Sequence, residues 1–89
     1  MRAKRVDENQ PAIVDALRKC GIAVEHLHMV GGGMPDLLLC VRGETVLMEC
    51  KLPGKALNKE QVEFIAKWPG RIEIVHSPEE ALNALIGEK

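Results

Sequence analysis

The alternation of apolar and polar positions divides the chain into short segments of different period. From about Asn9 to Cys20, Ile13, Val14 and Leu17 (with Ala16) fall at helical spacing. Pro11 is tolerated only in a first helical turn, which puts the start near Asn9 or Gln10, and Gly21 after Lys19-Cys20 is a common stop. Ile22 to His28 alternates like a strand, and Gly31-Gly32-Gly33 then interrupts any regular structure. Leu37 to Val41 is an unbroken apolar run, the pattern of a strand covered on both faces. Arg42-Gly43 reads as a tight turn, and Thr45 to Lys51 returns as a further strand that Pro53-Gly54 ends.

The second half continues in the same manner. Asn58, with Gln61 three residues later, has the form of a capping box. It opens a helix to about Lys67 that should bury Val62 and Ile65, with Phe64 as a further candidate. Pro69-Gly70 stops that helix, and Arg71 to His76 forms a fourth strand. Ser77-Pro78-Glu79-Glu80 supplies an N-cap, an N1 proline and an N3 glutamate for a last helix to about Ile86. The order α-β-β-β-α-β-α predicts one domain over residues 1–89, an α/β protein of the mixed-sheet (α+β) kind with helices covering the sheet. Residues 1–8 are polar and charged and are expected to form a flexible basic tail.

Composition narrows the function. With 89 residues, one Phe, one Trp and no Tyr, the core must be small and aliphatic, so binding nucleic acid on a platform of stacked aromatics is not expected. A domain of this size often gains buried area as a homodimer. The net charge of −1 gives no global field for a polyanion, but a docking face needs only local charge. Arg2, Lys4 and Arg5 gather in the tail, and Lys51, Lys55 and Lys59 in one loop region; singly, each is as readily an ordinary solvated cation. Cys20, Cys40 and Cys50 form no C-x-x-C pair, and two of them lie in apolar runs as small hydrophobes. These cysteines and the lack of an apolar N-terminal segment point to a reducing cytoplasm, with no membrane-spanning stretch.

The hairpin carries the candidate chemistry. If Arg42-Gly43 is a two-residue turn, Val41 pairs with Glu44, paired residue numbers sum to 85, and Asp36 stands opposite Glu49. Their β-carbons would then lie roughly 4.5–5.5 Å apart. A four-residue loop would set Asp36 opposite Lys51 instead; either even-numbered loop keeps Asp36, Glu49 and Lys51 on one face. Facing carboxylates repel, and a divalent cation reverses the sign; hard oxygen ligands favour Mg²⁺ or Mn²⁺. Beside them, Gly31 to Gly33 would let a phosphodiester approach the backbone closely. Taken singly, an E-x-K on a strand is commonly a surface ion pair, and an Asp after Pro is commonly a turn residue. Only their ordered combination points to catalysis.

That combination, Gly33-Met34-Pro35-Asp36 followed thirteen residues later by Glu49-Cys50-Lys51, resembles the core motif of the PD-(D/E)XK nucleases. Over nearly the whole chain, from Asp7 to about Leu85, the pattern is similar to the VRR-NUC (virus-type replication-repair nuclease) branch in its stand-alone phage or bacterial form. That branch has a leading helix, G-x-P-D, E-x-K and then a Gln early in the next helix, here Gln61. The resemblance implies a restriction-endonuclease-like core and a homodimeric Mg²⁺- or Mn²⁺-dependent deoxyribonuclease. It further implies similarity to Holliday-junction resolvases and action on branched DNA in repair. Asp36, Glu49 and the Cys50 carbonyl would be metal ligands, and Lys51 would orient the attacking water or offset charge on phosphorus. Gln61 would assist near Lys51 or at the DNA backbone. The family also carries an acid on the first helix. Here that place falls at or near Gln10, with Asp7 three residues earlier as an alternative ligand.

Lys55, Lys59, Arg5, His28, Gly32 and Gly33 are the expected DNA contacts. Two other readings compete. One is a nuclease-like DNA-binding module with weak or lost activity, which the missing first-helix acid leaves open. The other is a small zinc domain on His26 and His28, two imidazoles on one face of a strand, against which the scattered cysteines argue.

Overall fold

The computed structural model describes residues 7–87. Its elements run α1 (Gln10–Lys19), β1 (Ala23–His26), β2 (Leu37–Val41), β3 (Glu44–Cys50), α2 (Lys59–Lys67), β4 (Ile72–Val75) and α3 (Pro78–Ile86), in the order the periodicity predicts. The strands form one four-stranded sheet in chain order. β1, β2 and β3 pair antiparallel, while β4 joins β3 in parallel after the α2 crossover, so the sheet is mixed.

The hairpin between β2 and β3 sets the register of the molecule. Arg42 and Gly43 both have positive φ, 52° and 80°, as a two-residue type I′ turn requires. Val41 therefore faces Glu44, and the pairing continues to Leu37 opposite Met48. Alternation then sorts the side chains. Leu37, Leu39, Val41, Val46, Met48 and Cys50 point to one face, where they join Ile13, Val14 and Leu17 of α1 and Ala81 and Leu85 of α3 in a single apolar cluster. Burying side chains of this size stabilises by about 1.5–3 kcal/mol each before conformational entropy is subtracted.

The other face departs from expectation. β2 is not covered on both sides: Leu38 is half-buried and Cys40 is exposed, so only Cys50 of the two strand cysteines acts as a core residue. The reason is the placement of the helices. α1 and α3 both lie over the face that holds the core, and α2 docks at one end of the other. Val62, expected inside, is 51% exposed, Phe64 and Ile65 are half-buried, and Phe64 stacks on Trp68 instead. The only α2 side chain that is buried is Gln61. β1 is also shorter than its alternation suggests, because Leu27 and His28 already belong to the following turn.

Candidate functional site

Asp36 precedes β2, one step beyond Leu37 on the face opposite the core. Its Oδ2 accepts a hydrogen bond from the Cys50 main-chain N–H at 2.8 Å, taking the place of a ladder acceptor where β2 runs out. Its own carbonyl accepts from the Leu27 N–H at 2.7 Å, which ties the end of β1 to the same point. Glu49, paired with Ile74 on β4, shares that face, as the two-residue turn requires. Asp36 and Glu49 are each 2% exposed. Lys51 follows β3, and its Nζ lies 3.9 Å from Glu49 Oε2.

Gln61 divides its amide between two tasks. Its Oε1 accepts from the Asn58 N–H at 2.9 Å and its N–H is capped in return by Asn58 Oδ1, the capping box foreseen in the sequence. Its Nε2 donates to Glu49 Oε2 at 3.0 Å. Gln61 therefore reaches a carboxylate of the site rather than Lys51, and it links the start of α2 to β3. The N-terminal turn of α2 is held close by Gly33. That residue has φ 87°, and a β-carbon there would collide with the Glu60 carbonyl. Gly33 is buried and serves packing, not the open approach of a phosphodiester; Gly32 beside it is exposed.

The first helix contributes in a way the sequence did not signal. Asn9 occupies the N-cap position of α1 without a side-chain cap bond. Its Nδ2 donates to the carbonyls of Lys51 at 3.1 Å and His76 at 2.9 Å, binding the helix start to the ends of β3 and β4. In the sequence Asn9 marks only a helix start, and only the tertiary contact reveals the clamp. Asp7, half-exposed, lines a cavity of about 230 Å³ together with Asp36, Glu49, Cys50, Lys51, Asn58 and Gln61. Gln10 points inward, as its helical position implies, but does not line that cavity. Its Nε2 lies 3.2 Å from His26 Nδ1, on the other side of the helix start.

Of the remaining expected contacts, Lys55 and Lys59 are exposed, in the loop after β3 and at the start of α2, and neither lines the cleft. His28 lies with Gln10 and His26 rather than in the acidic cleft. Residues 1–6 of the expected tail, Arg5 among them, fall outside the described residues, whereas Asp7 and Glu8 are described and the Asp7 carbonyl accepts from the Gln10 N–H at 3.0 Å.

Buried carboxylates are costly unless paired or hydrogen-bonded, and here Asp36 accepts from the Cys50 N–H while Glu49 is met by Gln61 and Lys51. Among the described residues, no group of three or more His, Cys, Asp or Glu side chains is placed to hold a metal ion. The carboxylates that line the cleft are buried Asp36 and Glu49 and half-exposed Asp7, and Cys50 lines it as well. That set fits Mg²⁺ or Mn²⁺, which are commonly held by one or two carboxylates, with waters and substrate phosphate completing the shell. It does not fit structural zinc, which takes four nitrogen or sulfur ligands. Also among the described residues, no helix is long and apolar enough to cross a membrane. Comparison with family models, with curated proteins and with solved structures finds no match for this chain.

Proposed function

We propose that this protein is a Mg²⁺- or Mn²⁺-dependent DNA endonuclease of the VRR-NUC type, hydrolysing phosphodiester bonds in branched DNA such as four-way (Holliday) junctions. One observation carries the reading. Asp36 and Glu49 lie buried on one wall of a cleft, with the Lys51 ammonium 3.9 Å from Glu49 and the Cys50 main chain bonded to Asp36. Fixed carboxylates beside a lysine at a strand end are what metal-assisted phosphodiester hydrolysis needs, and a surface ion pair would not need such burial.

Asp36, Glu49 and the Cys50 carbonyl would hold the ion. When bound, it supplies an acidified water and withdraws charge from a phosphate oxygen. Lys51 would donate to the attacking water or to the phosphate oxygen that gains charge as the P–O bond breaks. Gln61 positions Glu49 through its 3.0 Å hydrogen bond. Asp7 reaches the cleft from the first-helix side and supplies the acid that Gln10 does not. Lys55 and Lys59, with Arg5 in the tail, contact phosphates without reading sequence.

A second copy of the chain is the expected partner, supported by the apolar surface of Val62, Trp68 and Ile74, each at least 40% exposed. The setting in this reading is the cytoplasm of a bacterium, or of the bacterial host of a phage.

Cleavage of four-way junction, flap, duplex and single-stranded DNA, with Mn²⁺ and with EDTA, tests the proposal. Mn²⁺-dependent products from a branched substrate are expected. Binding without cleavage under every condition would leave a nuclease-like binding module, and neither binding nor cleavage would remove DNA as the ligand.

A further inference from the structure

β3 ends at Cys50, yet the residue after it is still held by hydrogen bonds on its main chain. The Lys51 N–H donates to the Val75 carbonyl of β4 at 2.9 Å, one step past the last strand pair, Cys50 with Val75. β4 then leaves through Ser77 into α3, and the Lys51 carbonyl is met instead by Asn9 Nδ2 at 3.1 Å. The same amide nitrogen donates to the His76 carbonyl at 2.9 Å. Asn9 thus supplies the donor at the point where the two strands part. With its N–H and C=O both engaged, Lys51 has its backbone angles fixed, and with them the direction in which its side chain leaves. That side chain is only 15% exposed, and its ammonium lies 3.9 Å from Glu49 Oε2.

Asn9 bears on the cleft a second time. It belongs to the turn 7–10, which the Gln10 N–H closes on the Asp7 carbonyl at 3.0 Å. Asp7 lines the cleft with Asp36, Glu49 and Lys51. Tying Asn9 to the strand ends therefore seats the turn that carries Asp7. Local stability does not explain the choice of Asn. Its backbone is helical, with φ −85° and ψ −7°, and its side chain caps no N–H of α1. Only the NH₂ end of an amide can donate to two carbonyls, so its orientation is settled, and Oδ1 is left buried without a partner. An unmet buried acceptor costs stability. Such local costs are expected where function requires a fixed geometry.

Resting on the nuclease reading above, we propose that Asn9 is a positioning residue of the acidic cleft, whose amide aims Lys51 at the reacting groups and seats Asp7 beside the other carboxylates. It acts through those two residues and touches neither metal nor DNA. Hydrogen-bond partners one shell out from a metal site are typically worth about 10–100-fold in metal affinity or activity.

The test uses Asn9→Leu, which keeps the shape, adds no charge and removes both polar ends of the side chain. Mn²⁺ binding to the protein alone is followed by electron paramagnetic resonance. Cleavage of a four-way junction is measured at saturating Mn²⁺ for kcat and KM, and circular dichroism checks the fold. Mn²⁺ affinity and kcat are each expected to fall about tenfold, with KM nearly unchanged. The losses should also be shared with the residues through which Asn9 acts. In an Asp7→Asn background, Asn9→Leu should weaken Mn²⁺ binding no further, and in a Lys51→Ala background it should lower kcat no further. Where Asn9→Leu does not fold, Asn9→Gln, which keeps the donor on a longer arm, carries the same two couplings. Wild-type affinity and kcat in a folded variant, with only the melting temperature lowered, would overturn the proposal and leave a structural clamp. Losses that multiply in full with those of Asp7→Asn and Lys51→Ala would overturn it as well. If the wild-type protein cleaves no DNA while the Asn9–Asp7 coupling in Mn²⁺ affinity holds, the nuclease reading falls and the seating of Asp7 stands.

Discussion

On one face of the sheet, Leu37, Leu39 and Val41 meet Val46 and Met48 beneath α1 and α3. On the other, one residue along the same strands, Leu38 faces Leu47, exposed Cys40 faces exposed Thr45, and the row ends at Asp36 and Glu49. The first face is apolar, closed and covered by two helices. The second is partly bare, and its buried residues at the mouth are charged. A strand's alternation makes both faces from one register, so any slip that damaged the core would also scatter the site. Stability and chemistry are thereby tied to a single two-residue turn.

The sharpest contrast between the faces is thermodynamic. Leu39→Ala, at 1% exposure, should cost about 2–5 kcal/mol, enough to unfold much of a domain this small. Cys40→Ala, its exposed neighbour, should fall within about 0.5 kcal/mol of wild type. Urea titration of both variants checks this, and equal losses would mean that a partner chain covers the second face. The next largest effect belongs to the mouth. Asp36→Asn, which retains an acceptor for the Cys50 N–H, and Lys51→Ala should each reduce Mn²⁺-dependent cleavage by about 10²–10³-fold with the circular dichroism unchanged. Wild-type rates in either variant would disprove the assignment.

Gln61→Ala should act on both quantities at once. It removes the reciprocal half of the capping box and the donor to Glu49, for a loss of about 1–2 kcal/mol in stability. Cleavage should weaken as well. Stability lost with full activity retained would reduce Gln61 to a helix cap. The smallest effect is at the rim between the faces, where Glu80 accepts hydrogen bonds from the His76 ring and main chain, both at 2.9 Å. The ring hydrogen bond, then the main-chain one, holds the Glu80 carboxyl below its ordinary value of 4.5. A depressed folded-state pKa stabilises above the unfolded value and loses that contribution as pH falls through the folded one. Glu80→Gln should therefore flatten the acid limb of a stability–pH curve slightly below pH 4.5 and leave neutral pH nearly unaffected. Thermal melts across that range would reveal an effect, and a change confined to neutral pH would refute it.

Much of this was legible in the chain itself. Element order, the tight turn at Arg42-Gly43, the capping box at Asn58 and the shared face of Asp36 and Glu49 all follow from local rules of period, turn chemistry and parity, which neighbours in sequence suffice to apply. The burial of Gln10 followed from its helical phase in the same way. Other features depended on which elements dock where. Helical spacing placed Val62 and Ile65 on an inward face, but α1 and α3 took the covered side of the sheet and left α2 attached through Gln61. Asn9 marked only a helix start in the sequence, and its clamp arose because the ends of β3 and β4, 42 and 67 residues away, came within reach of its amide. Gly33 had the freedom to adopt positive φ, but that it packs against Glu60 was decided by α2. The direction of Gln10, toward His26 and away from the carboxylates, came from β1. Local sequence determined the strands, their register and thus the acidic site. Tertiary packing alone decided which sheet face stayed open and which cavity each inward-pointing polar residue serves, because those depend on contacts between segments that share no local rule.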